Sequence, residues 1–294
     1  MKVQTEEGLS HIAATGLIVV LVLGLTLFGS VAFLGYTNKM PSGNILPFSR
    51  VVPADALAYY GFDDAGSSTI TKDLSPYDND ARLSGAQLLN SPLWREYKNP
   101  SDKWGFVSGQ NSFFWVPASP SLNATGNLTV EAWVKWNVVP TAVTTANRQS
   151  VVLEKGYGDS VFQYRIAHSN NYGTGQSPYF TFAVRPGTTV RTVNSLTQPQ
   201  KGVWYYVVGT WNSRNTATTG RLAIYVNGKL ERSATYSTAN LYTSPYRLTL
   251  GGQYTNAAMT TTGRFFNGDI DEVGITGRAM SADEIKSRYN RYVY

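Results

Sequence analysis

Residues 265–290 read FFNGDIDEVGITGRAMSADEIKSRYN, and the fold turns on this stretch. It holds five carboxylates: Asp269, Asp271, Glu272, Asp283 and Glu284. A strand with acids at alternate positions can be the active centre of a sugar-cleaving enzyme. It can equally be the closing strand of a β-sandwich, followed by a helix. Strand side chains alternate faces, so strict alternation groups Asp269 with Asp271 and turns Glu272 away. A hydrolytic ladder needs a further acid two positions on, and Val273 stands there. In the other register, Ile270, Glu272 and Gly274 supply a single acid. Neither register completes a catalytic pair, and the stretch reads as structural. Ser281, with Glu284 three residues on, is a capping box that starts a short helix.

Working outward, ALAYYGF, FFWVP, LTVEAWVKW, SVVLEKG, VFQYRIAH, YFTFAVRP, GVWYYVVGTW, RLAIYVNGKLE and YRLTLGG are apolar or alternating runs. Gly, Asn, Pro and Ser separate them, and Asn227-Gly228 is a hairpin signature. Many short strands with one closing helix predict an all-β, two-sheet antiparallel jelly-roll sandwich. The chain has no cysteine, which excludes disulfides, zinc–thiolate sites and thiol nucleophiles. Its two histidines, His11 and His168, are too far apart in sequence to suggest a His-based metal site or triad. The net charge of +6 is spread out rather than clustered, so nucleic acid is not an expected partner.

Several blocks carry a family resemblance. ALAYYGFDDAGSSTITKDLSPYDNDARLSGA contains a strand ending Phe-Asp, followed by Asp73-x-Ser75-x-x-x-Asn79. LTVEAWVKW, GVWYYVVGTWN, RLAIYVNGKL and FFNGDIDEVGITGRAMSADEI follow in order. Together they resemble the laminin G-like, concanavalin A-like family across nearly all of residues 54–292. The resemblance implies a jelly roll that binds carbohydrate or protein ligands at a cell surface, and the incomplete acid ladder makes no enzyme activity the expectation. It also implies a structural calcium between the first and last strands, with Asp63 and Asp271 as ligands beside carbonyls and water.

Residues 12–34, IAATGLIVVLVLGLTLFGSVAFL, carry no charge for 23 residues. That length spans a hydrocarbon core of about 30 Å as a helix. Gly8-Leu9-Ser10 ahead of it resembles the class III signal of archaeal type IV pilins, in which cleavage follows the glycine. Glu6 and Glu7 stand where that family carries a basic residue. The expected organisation is a hydrophobic helix within 1–36, a linker over 37–52 and the sandwich over 53–294. The expected location is the cell surface, held by a membrane anchor or in a pilus. A homo-oligomeric filament subunit with helices in its core is the structural alternative, and behind it stand a glycan hydrolase and a viral surface protein of the same architecture.

Alternation also predicts a ligand face. Trp133, Arg165, Arg185 and Tyr225 point outward from their strands, with the stacking and hydrogen-bonding groups a glycan needs. Tyr157, Tyr172 and Tyr254 are rival aromatics on loops. Asn123-Ala-Thr125 and Asn127-Leu-Thr129 are glycosylation triplets that fit an exported protein.

Overall fold

The alternating segments become strands because each has one apolar side to bury. In β7 (Leu128–Trp136), the residues Leu128, Val130, Ala132, Val134 and Trp136 all enter the core. The computed structural model describes residues 52–62, 69–84, 87–90, 104–108, 113–137, 149–169, 178–214, 219–237 and 240–293. The N-terminal apolar stretch, Gly8, Leu9 and Asp63 lie outside these residues. No described helix is long and apolar enough to cross a membrane.

Two eight-stranded sheets form among the described residues. The first runs β14 (Lys229–Ser237), β13 (Thr219–Val226), β12 (Trp204–Asn212), β7, β18 (Gly268–Thr276), β5 (Trp104–Ser108) and β4 (Gln87–Asn90). β1 (Ala56–Tyr60) also joins β18. The second runs β11 (Arg191–Asn194), β10 (Tyr179–Val184), β9 (Val161–Ser169), β8 (Gln149–Tyr157), β15 (Leu248–Leu250), β6 (Phe113–Val116), β3 (Ala81–Ser84) and β2 (Ile70–Thr71). A separate ladder joins β16 (Gln253–Tyr254) to β17 (Thr262–Gly263). Every strand pairing is antiparallel, and the expected all-β sandwich forms.

The core lies between the two sheets. Trp136 is ringed by Phe266, Phe180 and His168, with centroids 4.7, 5.1 and 5.3 Å away. Across the interface between the sheets, a Cβ added to Gly209 would stand 2.1 Å from Phe182 Cγ. Only glycine fits there.

Local chemistry sets the connections. Asn227 and Gly228 both take positive φ, 50° and 76°, as the tight hairpin turn between β13 and β14 requires. The Asp73-x-Ser75-x-x-x-Asn79 loop is a clasp. Asp73 Oδ1 accepts from the backbone N–H groups of Tyr59 and Ser75, and Oδ2 accepts from Ser75 Oγ and the Asn79 N–H. Asn79 in turn donates to the Leu57 carbonyl, fixing the loop on β1.

Strict alternation fails in β18. A bulge lies between Asp271 and Gly274, and Glu272 adopts φ 48°. The extra residue reverses the facing of everything after it. Val273 therefore enters the core with Ile270 and Ile275, instead of sharing the face of Asp269 and Asp271.

The closing helix α1 (Ala282–Val293) begins at Ser281, whose Oγ accepts from the Glu284 N–H at 3.2 Å. The return half of the capping box is replaced. The Glu284 carboxylate accepts two 2.6 Å hydrogen bonds from Arg278.

Candidate functional site

α1 lies against the outer face of the first sheet. Trp133 is stacked between Tyr206 and Tyr289 at 5.3 and 5.7 Å, with Tyr292 at 5.2 Å, and is 1% exposed. It points outward from its strand as expected, but the helix covers it, so its ring is closed to a sugar. Tyr225 belongs to the same sheet and is buried at its bulge with β14. Burial raises its phenol pKa.

Beside Trp133, Glu131 accepts hydrogen bonds from Arg288 at 2.9 Å and from Tyr206 OH. Glu272 accepts from Tyr59 OH at 2.7 Å. Because of the bulge, Glu272 and Glu131 approach each other, and repulsion adds to burial in raising the Glu131 pKa. Each carboxylate belongs to a residue only 2% exposed, so neither can reach a glycosidic bond. Asp269 is paired with Lys135 at 3.0 Å. Asp271 is buried, and its Oδ1 accepts from the Glu272 N–H at 2.8 Å. Among the described residues no three His, Cys, Asp or Glu side chains gather as metal ligands.

Arg165 and Arg185 stand on the second sheet, whose outer face points away from Trp133 and Tyr225. The four expected ligand residues therefore do not converge. Arg165 is 3% exposed and donates to Glu154 at 2.5 Å and to Gln149 at 2.9 Å. Burial pushes the Glu154 carboxyl up to about 7, against the pull of Arg165. Arg264 shares Gln149 and binds Asp159 through both terminal nitrogens. This network stiffens the β8–β9 turn rather than offering free donors. Arg185 lies 4.3 Å from the Tyr242 ring and donates to the Thr188 carbonyl. Tyr157 packs edge-on to Tyr246 at 4.7 Å. Tyr172 lies outside the described residues.

A different cluster on the second sheet forms an open cleft of about 440 Å³. Register explains it: Arg82 pairs with Trp115, and Trp115 with Thr249, so adjacent strands β3, β6 and β15 present them on one face. Arg247, two residues before Thr249, falls on that face too. The guanidinium carbons of Arg82 and Arg247 lie 5.8 and 4.2 Å from the Trp115 ring. Arg247 also donates to Tyr254 OH at 2.9 Å, and Tyr254 is braced edge-on by Phe113 at 5.4 Å. Pro117, Pro245, Tyr246 and Met259 complete the walls. Met259 has φ 55°, in a turn where Asn256 Oδ1 accepts from the Thr260 N–H at 3.0 Å.

The loop carrying Tyr246 and Arg247 is pinned from beneath. Buried Lys155 donates its ammonium to the carbonyls of Ser244, at 2.8 Å, and Tyr246. Burial lowers its pKa to about 8. Asn123 Oδ1 accepts from the Ser244 N–H at 3.1 Å, and Asn127 Oδ1 from the Ser213 N–H at 2.9 Å. Both asparagines of the glycosylation triplets are half-buried acceptors of backbone hydrogen bonds.

Sequence reasoning passed over Arg82, Trp115 and Arg247, although the alternation rule reaches them. Phe114 and Val116 face inward, as do Leu248 and Leu250, leaving Trp115 and Arg247 outside.

The described residues thus form an antiparallel sandwich with an aromatic, arginine-flanked cleft on one sheet face. The pattern of the concanavalin A-like lectin/glucanases superfamily matches residues 108–286. The chain belongs to that superfamily. Among curated proteins no sequence matches it. The binding domain of Paraclostridial Mosquitocidal Protein 1 is similar at 14% identity and a TM-score of 0.56, over 81% of this chain and 52% of that one. A structure of botulinum neurotoxin type C, whose cell entry depends on two ganglioside molecules, is similar at 13% identity and TM-score 0.54, over 81% and 52%. The binding domain of botulinum neurotoxin DC, solved in complex with rat synaptotagmin II, gives 14%, 0.54, 82% and 52%. The chain spans about half the length of these structures, and at such identities the likeness is one of fold.

Proposed function

We propose that the protein is a surface-displayed binding module whose Trp115 cleft takes a carbohydrate, free or carried by a receptor. The observation that carries this reading is the half-exposed indole of Trp115 held between two guanidinium groups in a cleft of saccharide size. Superfamily membership supports it, as do fold relatives that bind gangliosides or a protein receptor. The burial of Glu131 and Glu272 favours binding over hydrolysis. A glycan array probed with the full chain tests the reading. Binding lost in Trp115→Ala supports it, and an array silent to the folded wild type overturns it.

Surface display rests on the uncharged stretch over 12–34, behind Gly8-Leu9-Ser10. In the anchored form of the proposal the helix stays in the membrane with Met1 intact. In the pilin form residues 1–8 are removed and the helices bundle into a filament core. The intact mass of the native protein separates the two. Calcium at Asp63 and Asp271 belongs to the same proposal. A melting temperature lowered by EDTA supports it, and an unchanged transition removes it.

A further inference from the structure

We infer that the cleft around Trp115 selects an acidic saccharide, one bearing a carboxylate or sulfate, over its neutral counterpart. The inference deepens the proposed function and rests on it. Some of the arginines are committed to carboxylates, while Arg185 and Arg191 each lie over a tyrosine. Arg165 is matched by Glu154, Arg264 by Asp159, Arg278 by Asp55 and Glu284, and Arg288 by Glu131. Arg82 and Arg247 lean on the same indole, and neither forms an ion pair among the described residues. Among the described residues, no acidic side chain lines the cleft. Asp80 feels the charge of Arg82, but its carboxylate is engaged by Lys72 at 2.5 Å.

Two like charges gathered on one ring repel each other and leave the cleft positive. An anion relieves that repulsion, and a neutral hydroxyl does not. The geometry suits the task. A guanidinium lying over an indole keeps N–H groups along its edge, apart from the Arg247 nitrogen that donates to Tyr254, and that edge matches a carboxylate or sulfate with two parallel hydrogen bonds. Arg247 is held further by Tyr254, so little side-chain freedom is lost on binding. Lys155 beneath the loop adds a third positive charge, its ammonium held by the carbonyls of Ser244 and Tyr246 and by no carboxylate among the described residues. The exposed indole edge and the prolines supply the apolar surface against which a sugar ring packs.

Matched ligands that differ only in charge test this: galacturonate oligomers against galactan oligomers, and sialyllactose against lactose, titrated onto the immobilised full chain. The acidic member of at least one pair should bind about tenfold or more tightly, with a preference that shrinks as salt rises. Arg82→Gln and Arg247→Gln should each reduce acidic binding by about tenfold or more, a much larger fall than either causes in neutral binding. Arg214→Gln removes an exposed charge elsewhere and should change neither, which separates the cleft from the general +6 charge. Circular dichroism and melting of each variant confirm that it is folded. Equal binding of both members, or indifference to the two arginine changes while Trp115→Ala abolishes binding, overturns this inference and leaves the proposed function standing. Silence towards every sugar overturns both.

Discussion

Truncating Trp133 to alanine removes an indole stacked between Tyr206 on the sheet and Tyr289 on the helix. The expected cost is roughly 3–5 kcal/mol of folding stability, read by urea denaturation, with glycan binding per folded molecule unchanged. His168 makes a second prediction at this scale. It is 1% exposed beside Trp136, and burial lowers its pKa from 6.5 to about 4. The unfolded chain takes up a proton at this residue near pH 6.5, whereas the folded chain resists until about 4. Its contribution is therefore complete above the unfolded value and is lost as pH falls through that window, by roughly 3 kcal/mol. His168→Phe should flatten this part of the stability profile, measured as the difference between wild type and variant from pH 7 to pH 4. Identical slopes would show that His168 is protonated in the folded state.

Elements were legible in the sequence where a few adjacent residues decide the outcome. Asn227-Gly228 and Ser281 each act over less than one turn or loop, so type and place could be read together. Ser281→Ala should cost about 1 kcal/mol, because it removes the acceptor of the Glu284 N–H, and helical circular dichroism should fall only slightly. The β18 bulge was not legible. Period-two reasoning assumes an unbroken ladder, whereas Glu272 at φ 48° inserts a residue that no local composition announces. Nor does alternation say which sheet a strand joins or what covers its outer face. Trp133 and Arg165 both point outward, yet they lie on opposite sides of the sandwich and both are buried. The site near Trp115 was hidden for the same reason, since it needs strands distant in sequence to become neighbours.

At the scale of the whole molecule, the strand order matters more than any single contact. β18 lies between β7 and β5 in the first sheet and also pairs with β1. A chain ending at Arg264 would lack a central strand, not an edge. Such a truncation should show no cooperative unfolding transition in denaturant, whereas loss of a peripheral strand leaves a weakened one. A sharp transition in the truncated chain would mean that the two halves of the sheet close without it.

The same strand order sets a timetable. During synthesis the residues of β1, β4, β5 and β7 emerge well before β18, which must then slot between partners already waiting. Contacts this distant in sequence make closure slow, and it cannot precede the last thirty or so residues. Under the proposed export, that delay would be useful: a sandwich that stays open until β18 has been made remains threadable through a translocation pore.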